Sequence, residues 1–292
     1  MTDDERPIVD TQPSPFVSQS GRSSAQFVDT HCHLGWRTFD ADRDDVIRRA
    51  IEAGVTRMVT IGVDVASSRR AIELAEQYEA VYAAVGVHPN AAAELNKDTL
   101  SQIRALARHP KVVAIGEIGL DTYWKKVAPD VQARAFEAQL DLAIELGKPV
   151  IVHNHDATED VLATLTRHFT RHSSLVTPGV LHSFFESVDV AQRAFEMEFL
   201  IGFSGPVTFK KSHDLRELVR GVPPDRFVIE TDAPFLAPEP RRGRRNEPAY
   251  VKHIADQIAR ERRVSIEDIA GQTTVNAARL FGWANDYGAP SP

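Results

Sequence analysis

Gln26-Phe27-Val28-Asp29-Thr30-His31-Cys32-His33 decides the fold. It is the first β-rich apolar run of the chain, and it closes on two histidines rather than on glycines. A dinucleotide-binding doubly wound sheet carries a Gly-rich phosphate fingerprint directly after its first strand, so that fold is disfavoured. Outward from this run, short apolar stretches alternate with helical patterns. Further strands are expected over 57–61, 81–87, 112–118, 150–153, 180–184, 198–203 and 226–231. Helices are expected over 40–53, 66–78, 99–108, 129–146 and 158–168, with two more over 248–262 and 265–281. The helix at 129–146 is the most fully signalled. Phe136, Leu140 and Ala143 form an i, i+4, i+7 stripe, Pro129 opens it and Gly147 follows its end. Strands alternating with helices predict a parallel sheet. With no fingerprint after the first of them, an α/β class, closed (β/α)8 TIM barrel is the expected architecture.

The chain has 292 residues. At about 150 residues per domain that suggests two domains, but such barrels run to about 250 residues as one. Residues 1–25 are rich in Asp, Pro, Ser and Gln and lack the layout of a secretory signal. They read as a disordered tail. The barrel is then expected over 26–284, with a second short tail over 285–292. An apolar fraction of 42% and a charged fraction of 26% are ordinary for a globular chain and exclude collagen-like and coiled-coil classes. There is no run of 18 apolar residues, so no membrane span is expected. Cys32 is the sole cysteine, which fits a reducing, cytoplasmic setting and a small buried apolar role. The formal charge of −7 argues against a surface uniformly coated for nucleic acid.

The chemistry is signalled by histidine placement. Of 11 histidines, His31, His33, His88, His153, His155 and His182 fall at or just beyond expected strand C-termini. In a barrel that end holds the active site. His31-Cys32-His33 is a period-2 spacing that turns both imidazoles to one face, suited to one cation; two hydrogen-bonded histidines at a strand end is the competing reading. Glu117, in Gly116-Glu117-Ile118-Gly119-Leu120-Asp121, is a carboxylate among glycines and apolar residues. Its burial is costly unless a cation, two cations or an arginine resolves it. Asp121 is either a further candidate or a loop cap. Asp232 shares a face with Glu230 in Glu230-Thr231-Asp232-Ala233-Pro234 and is nearer the rim. Asp232 is therefore taken as the ligand and Glu230 as the residue behind it. Together His31, His33, Glu117, His153, His182 and Asp232 supply four imidazoles and two carboxylates. That set suits two divalent cations about 3.5–4 Å apart, bridged by Glu117 and a hydroxide, with Asp232 as general base. The donor set leans towards Zn, Mn, Ni or Co, while phosphodiester chemistry often runs with Mg. No organic cofactor is expected, and oligomeric state is not legible.

These residues resemble the TatD-like metal-dependent hydrolases, a branch of the amidohydrolase-type barrels, over about residues 27–283. The resemblance rests on motifs in order along the chain. They are Asp29-Thr30-His31-Cys32-His33-Leu34, Ala84-Val85-Gly86-Val87-His88-Pro89 and Gly116-Glu117-Ile118-Gly119-Leu120-Asp121, then Gly202-Phe203-Ser204-Gly205, Glu230-Thr231-Asp232-Ala233-Pro234 and Arg244-Arg245-Asn246-Glu247-Pro248. It implies a TIM barrel that needs divalent cations and acts as a DNase, often a 3′→5′ exonuclease on single strands and sometimes a nuclease at abasic sites. It further implies that His31, His33 and Asp232 hold one metal, that His153 and His182 hold the second, and that Glu117 is shared. Two departures stand out. His155 occupies the place of the family's usual arginine, so a permanent phosphate clamp is replaced by a ring charged only when protonated. His182-Ser183-Phe184-Phe185-Glu186 stands for the usual His-Cys-Phe-Ser-Gly, adding a ring and a carboxylate near the site.

The basic residues are uneven. Lys125 and Lys126 follow the fourth strand, Lys210 and Lys211 the seventh, and Arg241, Arg242, Arg244 and Arg245 the eighth. All would lie on the catalytic rim. Lys125, Lys126, Lys210, Arg244, Arg245, His88 and His155 are the expected substrate contacts, with Tyr123, Trp124, Phe184 and Phe185 placed to stack bases. The expected function is a metal-dependent phosphodiester hydrolase acting on DNA. A hydrolase of small amides, lactones or esters and a non-catalytic binding barrel are the alternatives.

Overall fold

Alternation along eight strands sorts their side chains into two layers. In the computed structural model, which describes residues 25–172 and 177–283, the strands are β1 (Phe27–Cys32), β2 (Val55–Ile61), β3 (Val81–Val85), β4 (Val112–Asp121), β5 (Val150–His155), β6 (Gly179–Leu181), β7 (Leu200–Phe203) and β8 (Phe227–Ile229). All pair in parallel, in the order β1 to β8. The seam between β8 and β1 is closed at the C-terminal end by main-chain hydrogen bonds. The Asp232 amide donates to the His31 carbonyl at 2.8 Å, and the His33 amide donates to the Ala233 carbonyl at 2.7 Å. Closure of the barrel thus sets His31 and His33 directly beside Asp232.

Val28, Val59, Ala84, Ile151, Val180, Leu200 and Val228 fill the inner layer, packed with Leu280, Phe281 and Trp283 at the end of the last helix among the described residues. Their neighbours Phe27, Met58, Val85, Val152, Leu181, Ile201 and Ile229 face the helical layer. This is the period-2 pattern expected of strands buried on both faces. The helices are α1 (Arg43–Glu52), α2 (Val65–Gln77), α3 (Lys97–Leu106), α4 (Pro129–Leu146), α5 (Thr158–His172), α6 (Val188–Glu196), α7 (His213–Gly221), α8 (Val251–Arg262) and α9 (Ile266–Phe281). α4 has the expected bounds, and Gly147 caps it in the left-handed region.

Several expected elements differ. α6 and α7 were not expected; at nine residues each they are shorter than the window of about 11–18 residues over which a helical period is read. β4 runs on to Asp121, past the expected end at 118. Its glycines explain why. A Cβ on Gly119 would stand 2.0 Å from the His153 carbonyl oxygen, and one on Gly116 would stand 2.6 Å from that of Ile151. Both take positive φ, and the β4–β5 register shifts between Gly116 and Ile118. The two glycines let β5 approach closely, so the strand can twist past Glu117 and still pair. Cys32 packs, fully buried, among the outer-layer apolar residues. The tails expected over 1–25 and 285–292 lie, apart from Ala25, outside the described residues. Among the described residues no helix is long and apolar enough to cross a membrane.

Candidate metal centre

The C-terminal ends of β1, β4, β5, β6 and β8 converge on the carboxylate of Glu117. Its Oε2 faces Nε2 of His31 at 3.6 Å and Nε2 of His33 at 3.9 Å. These two nitrogens lie 3.3 Å apart, and Oδ1 of Asp232 is 3.2 Å from His33 and 3.7 Å from His31. On the other side, Glu117 Oε1 faces Nδ1 of His153 at 2.8 Å and Nε2 of His182 at 3.0 Å, those nitrogens being 3.2 Å apart. One carboxylate therefore offers one oxygen to each of two donor clusters. Ligand bonds of about 2.0–2.2 Å place tetrahedral donors about 3.3–3.6 Å from one another, close to the spacings here. The donors fit a pair of divalent cations, with Glu117 between them.

Behind these donors stands a layer of hydrogen bonds and ion pairs. Nε2 of His153 is 3.2 Å from Oδ2 of Asp121, a buried carboxylate that also accepts from the Trp124 amide at 2.9 Å and the Asn90 amide group at 3.0 Å. Asp121 is thus both loop cap and support for His153. Nδ1 of His182 lies 3.7 Å from Oε1 of the fully buried Glu230, which in turn accepts from the Ser183 amide. His31 is held by packing instead, its ring stacked on His182 at 4.1 Å and 10°. Asp29 accepts from the amide and hydroxyl of Thr231, at 2.8 and 2.5 Å, locking β1 to β8 beneath the centre.

The electrostatics follow from burial and crowding. Burial pushes the Glu117 carboxyl up, but the imidazoles of His88, His182 and His153 outweigh it and hold the group well below the usual carboxylate range. Burial, with His182 adjacent, pushes His31 well below the ordinary histidine value. His153 and His182 are raised: burial opposes this, but Asp121 and Glu117 prevail at the first, and Glu117 and Glu230 at the second. Without cations, Glu117 is an anion embedded in imidazoles.

The centre opens into a cavity of about 760 Å³, within the range of small-molecule sites. Of the expected substrate contacts, His88, His155 and Lys126 line it. Nε2 of His88 points at Glu117 Oε1 at 3.4 Å while its Nδ1 accepts from the Asn90 amide at 3.0 Å. His155 stacks on Tyr123 with ring centroids 4.3 Å apart.

The remaining basic residues do not line it. Arg245 forks onto Asp42 at 2.8 and 2.6 Å, and Glu247 of the same motif pairs with Arg49 at 2.7 Å. Arg244-Arg245-Asn246-Glu247 therefore anchors the β8 loop to the α1 region. Lys125, Lys210 and Arg244 are absent from the described lining, in which Lys126 is the one lysine or arginine. Phe184 is buried in the outer layer, so the stacking role expected for it is corrected to packing, while Phe185 is exposed and lines the cavity. Glu186 accepts from Asn154 at 3.1 Å and Thr158 at 2.8 Å. Trp36 and Phe235 also line the cavity, edge-to-face at 4.9 Å. Each stands three residues beyond a donor, His33 and Asp232, and that spacing is the sequence signal that marks them.

A parallel eight-stranded barrel with two donor clusters sharing a carboxylate at its C-terminal mouth defines a binuclear metal-dependent hydrolase of the amidohydrolase type. The model of the family described as TatD related DNase matches residues 28–282, and the chain belongs to that family. It is 45% identical over 253 residues to YabD of Bacillus subtilis, an uncharacterised metal-dependent hydrolase, covering 87% of this chain and 98% of that one. It is 39% identical over 249 residues to a protein of Erwinia tasmaniensis named 3′-5′ ssDNA/RNA exonuclease TatD, covering 83% and 95% of the two chains. The crystal structure of the Escherichia coli TatD homologue YJJV superposes with a TM-score of 0.82 at 30% identity, over 88% of this chain and 98% of that chain.

Proposed function

We propose that this chain hydrolyses phosphodiester bonds of single-stranded DNA, releasing nucleotides from the 3′ end. The observation that carries the reading is the division of Glu117 between two donor clusters beneath an open, aromatic-walled cavity. The named activity of the Erwinia relative supports the substrate. His31, His33 and Asp232 would hold one cation, and His153 and His182 the other, with Glu117 shared. When bound, such a pair supplies positive charge against the phosphoryl oxygens and lowers the pKa of water. Zn, Mn, Ni, Co and Mg all remain compatible with this mixed imidazole and carboxylate set.

The protein's own groups do the rest. Asp232, at the rim, takes the proton of the attacking water. Asp121 and Glu230 fix the rings of His153 and His182, which keeps the phosphate subsite in one geometry. Lys126 and His155 meet the strand on the β4–β5 side. Residues 26–284 constitute the hydrolase domain, and the solitary buried Cys32 supports a cytoplasmic location.

The test is release of nucleotides from 3′- and 5′-labelled single strands by metal-reconstituted protein, with chelator as the control and a panel of small amides, lactones and esters alongside. Metal-dependent release of the 3′ label first is expected. Turnover of the small panel with intact DNA left untouched would overturn the reading.

A further inference from the structure

Two aromatic walls face each other across the cavity. One stands at the β8–β1 seam: Trp36 and Phe235 are packed edge-to-face at 4.9 Å, with the His33 ring 5.7 and 5.9 Å from them. The other stands at the β4–β5 seam, where His155 and Trp124 line the cavity and Tyr123, outside the lining, backs them: His155 lies flat on Tyr123 at 4.3 Å and 10°, with Trp124 edge-on to Tyr123 at 5.0 Å. In a closed barrel of eight strands in sequential order these seams are four strands apart either way round, hence opposite. Trp36 is 39% exposed, Phe235 41%, Tyr123 53% and Trp124 59%. Large rings left this open at the mouth of a site are available to a planar ligand.

Both walls are held rigid from below. The Asn246 side chain donates to the Phe235 carbonyl at 2.6 Å, and Arg43 donates to the Trp36 carbonyl at 3.3 Å. Opposite, Gln132 exchanges hydrogen bonds with the main chain of Asp121 at 2.8 and 2.9 Å, and the Thr122 amide donates to the His155 carbonyl at 2.9 Å. Rings carried on main chain anchored in this way lose less entropy when a base stacks on them than rings on a free loop would.

We propose that the mouth is a two-nucleotide clamp: the bases on either side of the scissile phosphate stack on opposite walls, the 3′-terminal one on Trp36–Phe235 and the penultimate one on His155–Tyr123. This rests on the phosphodiesterase reading above. The assignment of walls follows from the position of Asp232, which lies on the Trp36–Phe235 side. Water attacks phosphorus from that side and gives its proton to Asp232. A new P–O bond forms and the bond from phosphorus to the penultimate 3′ oxygen breaks, its electron pair staying on that oxygen, which takes a proton from solvent. In-line displacement places this leaving oxygen opposite the water, towards β4 and β5. The penultimate nucleoside is carried there with it. A duplex end cannot open its last two bases onto separate walls, so the clamp also selects single strands.

The experiment uses the metal-loaded full chain and three 5′-labelled single strands: intact, with a stable tetrahydrofuran abasic residue at the 3′-terminal position, and with that residue at the penultimate position. For each protein the ratio of rates, intact over abasic, is read, so a loss of folded or metal-loaded protein cancels. The unaltered chain should show a ratio of about ten at each position. Trp36→Ala should bring the terminal ratio to near one and spare the penultimate ratio; His155→Ala and Tyr123→Ala should do the reverse. Trp36→Phe and His155→Phe should restore the lost ratios, because a flat ring suffices. Ratios unchanged by the alanine variants, or both ratios falling together in every variant, would overturn the clamp while leaving the phosphodiesterase reading standing. No release from the intact strand by the unaltered chain would overturn both.

Discussion

The carboxylate of Asp121 meets Nε2 of His153 at 3.2 Å, on the far side of the ring from Glu117, which meets Nδ1 at 2.8 Å. The ring is thereby held between two carboxylates, one in the donor set and one behind it. With Asp121 accepting, the proton sits on Nε2 and the Nδ1 lone pair is free for a cation. Asp121→Asn removes the negative charge and the fixed tautomer but keeps the shape. Metal affinity at the His153–His182 half should fall about 10- to 100-fold, with activity recovered at high metal concentration. Metal titration of the apo-protein checks this, and an affinity within twofold of the unaltered chain would refute the assignment.

Glu117 places one oxygen against each cluster, within 3.9 Å of the ring nitrogens. Replacing it by Gln weakens both halves at once, whereas Asp232→Asn touches one. Elemental analysis should find two divalent ions per chain normally and fewer than one in Glu117→Gln. Asp232→Asn should retain the ion at the His153–His182 half. Its turnover should nevertheless fall by about 10²–10⁴, the usual worth of a positioned general base. Full metal-dependent activity in Asp232→Asn would sink the base role.

Gly119 allows β4 and β5 to meet where His153 is presented. A methyl group there would stand 2.0 Å from a backbone oxygen, and the residue's φ is +144°. Nothing flexible can move aside, so Gly119→Ala should cost about 2–3 kcal/mol through overpacking and lower activity as β5 shifts. Gly147 also has positive φ but faces open space. Gly147→Ala should cost only about 1 kcal/mol and leave activity intact. Chemical denaturation of the pair, read with activity, separates close approach from conformational preference.

The donor residues were legible because barrel geometry reduces them to one rule: a His, Asp or Glu at the end of an apolar run. His31, His33, His153, His182 and Asp232 obey it and converge; Glu117, inside β4, stands out instead as a carboxylate among glycines and apolar residues. Rim residues obey no such rule. Arg245 looked like a phosphate contact because its partner, Asp42, is 203 residues away in sequence. Phe184 and Phe185 are adjacent and equivalent in composition, yet one is buried and the other lines the cavity, since a single-residue offset after a strand end decides the face. Trp36 carries no periodicity as a lone aromatic in a loop; its spacing of three residues from His33 marks it, and closure of the barrel sets it against Phe235.

Binding of cations should release protons. In the metal-free chain His153 and His182 hold protons more tightly than ordinary histidines, because Asp121 and Glu117 favour the charged ring at the first, and Glu117 and Glu230 at the second. A cation must displace those protons. Apparent affinity should therefore rise with pH through and above the ordinary histidine range, and flatten once both rings are neutral. His31 is depressed and contributes no proton over that range. Calorimetric titration in buffers of different ionisation enthalpy reads the protons directly. Net proton release that grows as the pH is lowered is expected, and none would mean that the raised rings are not ligands.

The net charge of −7 sets the last expectation. Eight lysines and arginines in the rim loops suggested many phosphate contacts, but among the described residues lining the cavity only Lys126 carries a permanent positive charge. Counterion release gives a slope of about −0.7 per phosphate neutralised on a single strand. One to two contacts therefore predict a log–log dependence of affinity on salt of about −0.7 to −1.4, far from the value of about −5.6 that eight would give. Lys126→Ala should flatten it by about 0.7, while Arg245→Ala should leave the slope unchanged and lower stability by freeing the β8 loop from Asp42. Binding measured against salt for these two variants distinguishes recognition by stacking and cations from recognition by surface charge, and a steep slope insensitive to Lys126 would point to a basic track outside the cavity.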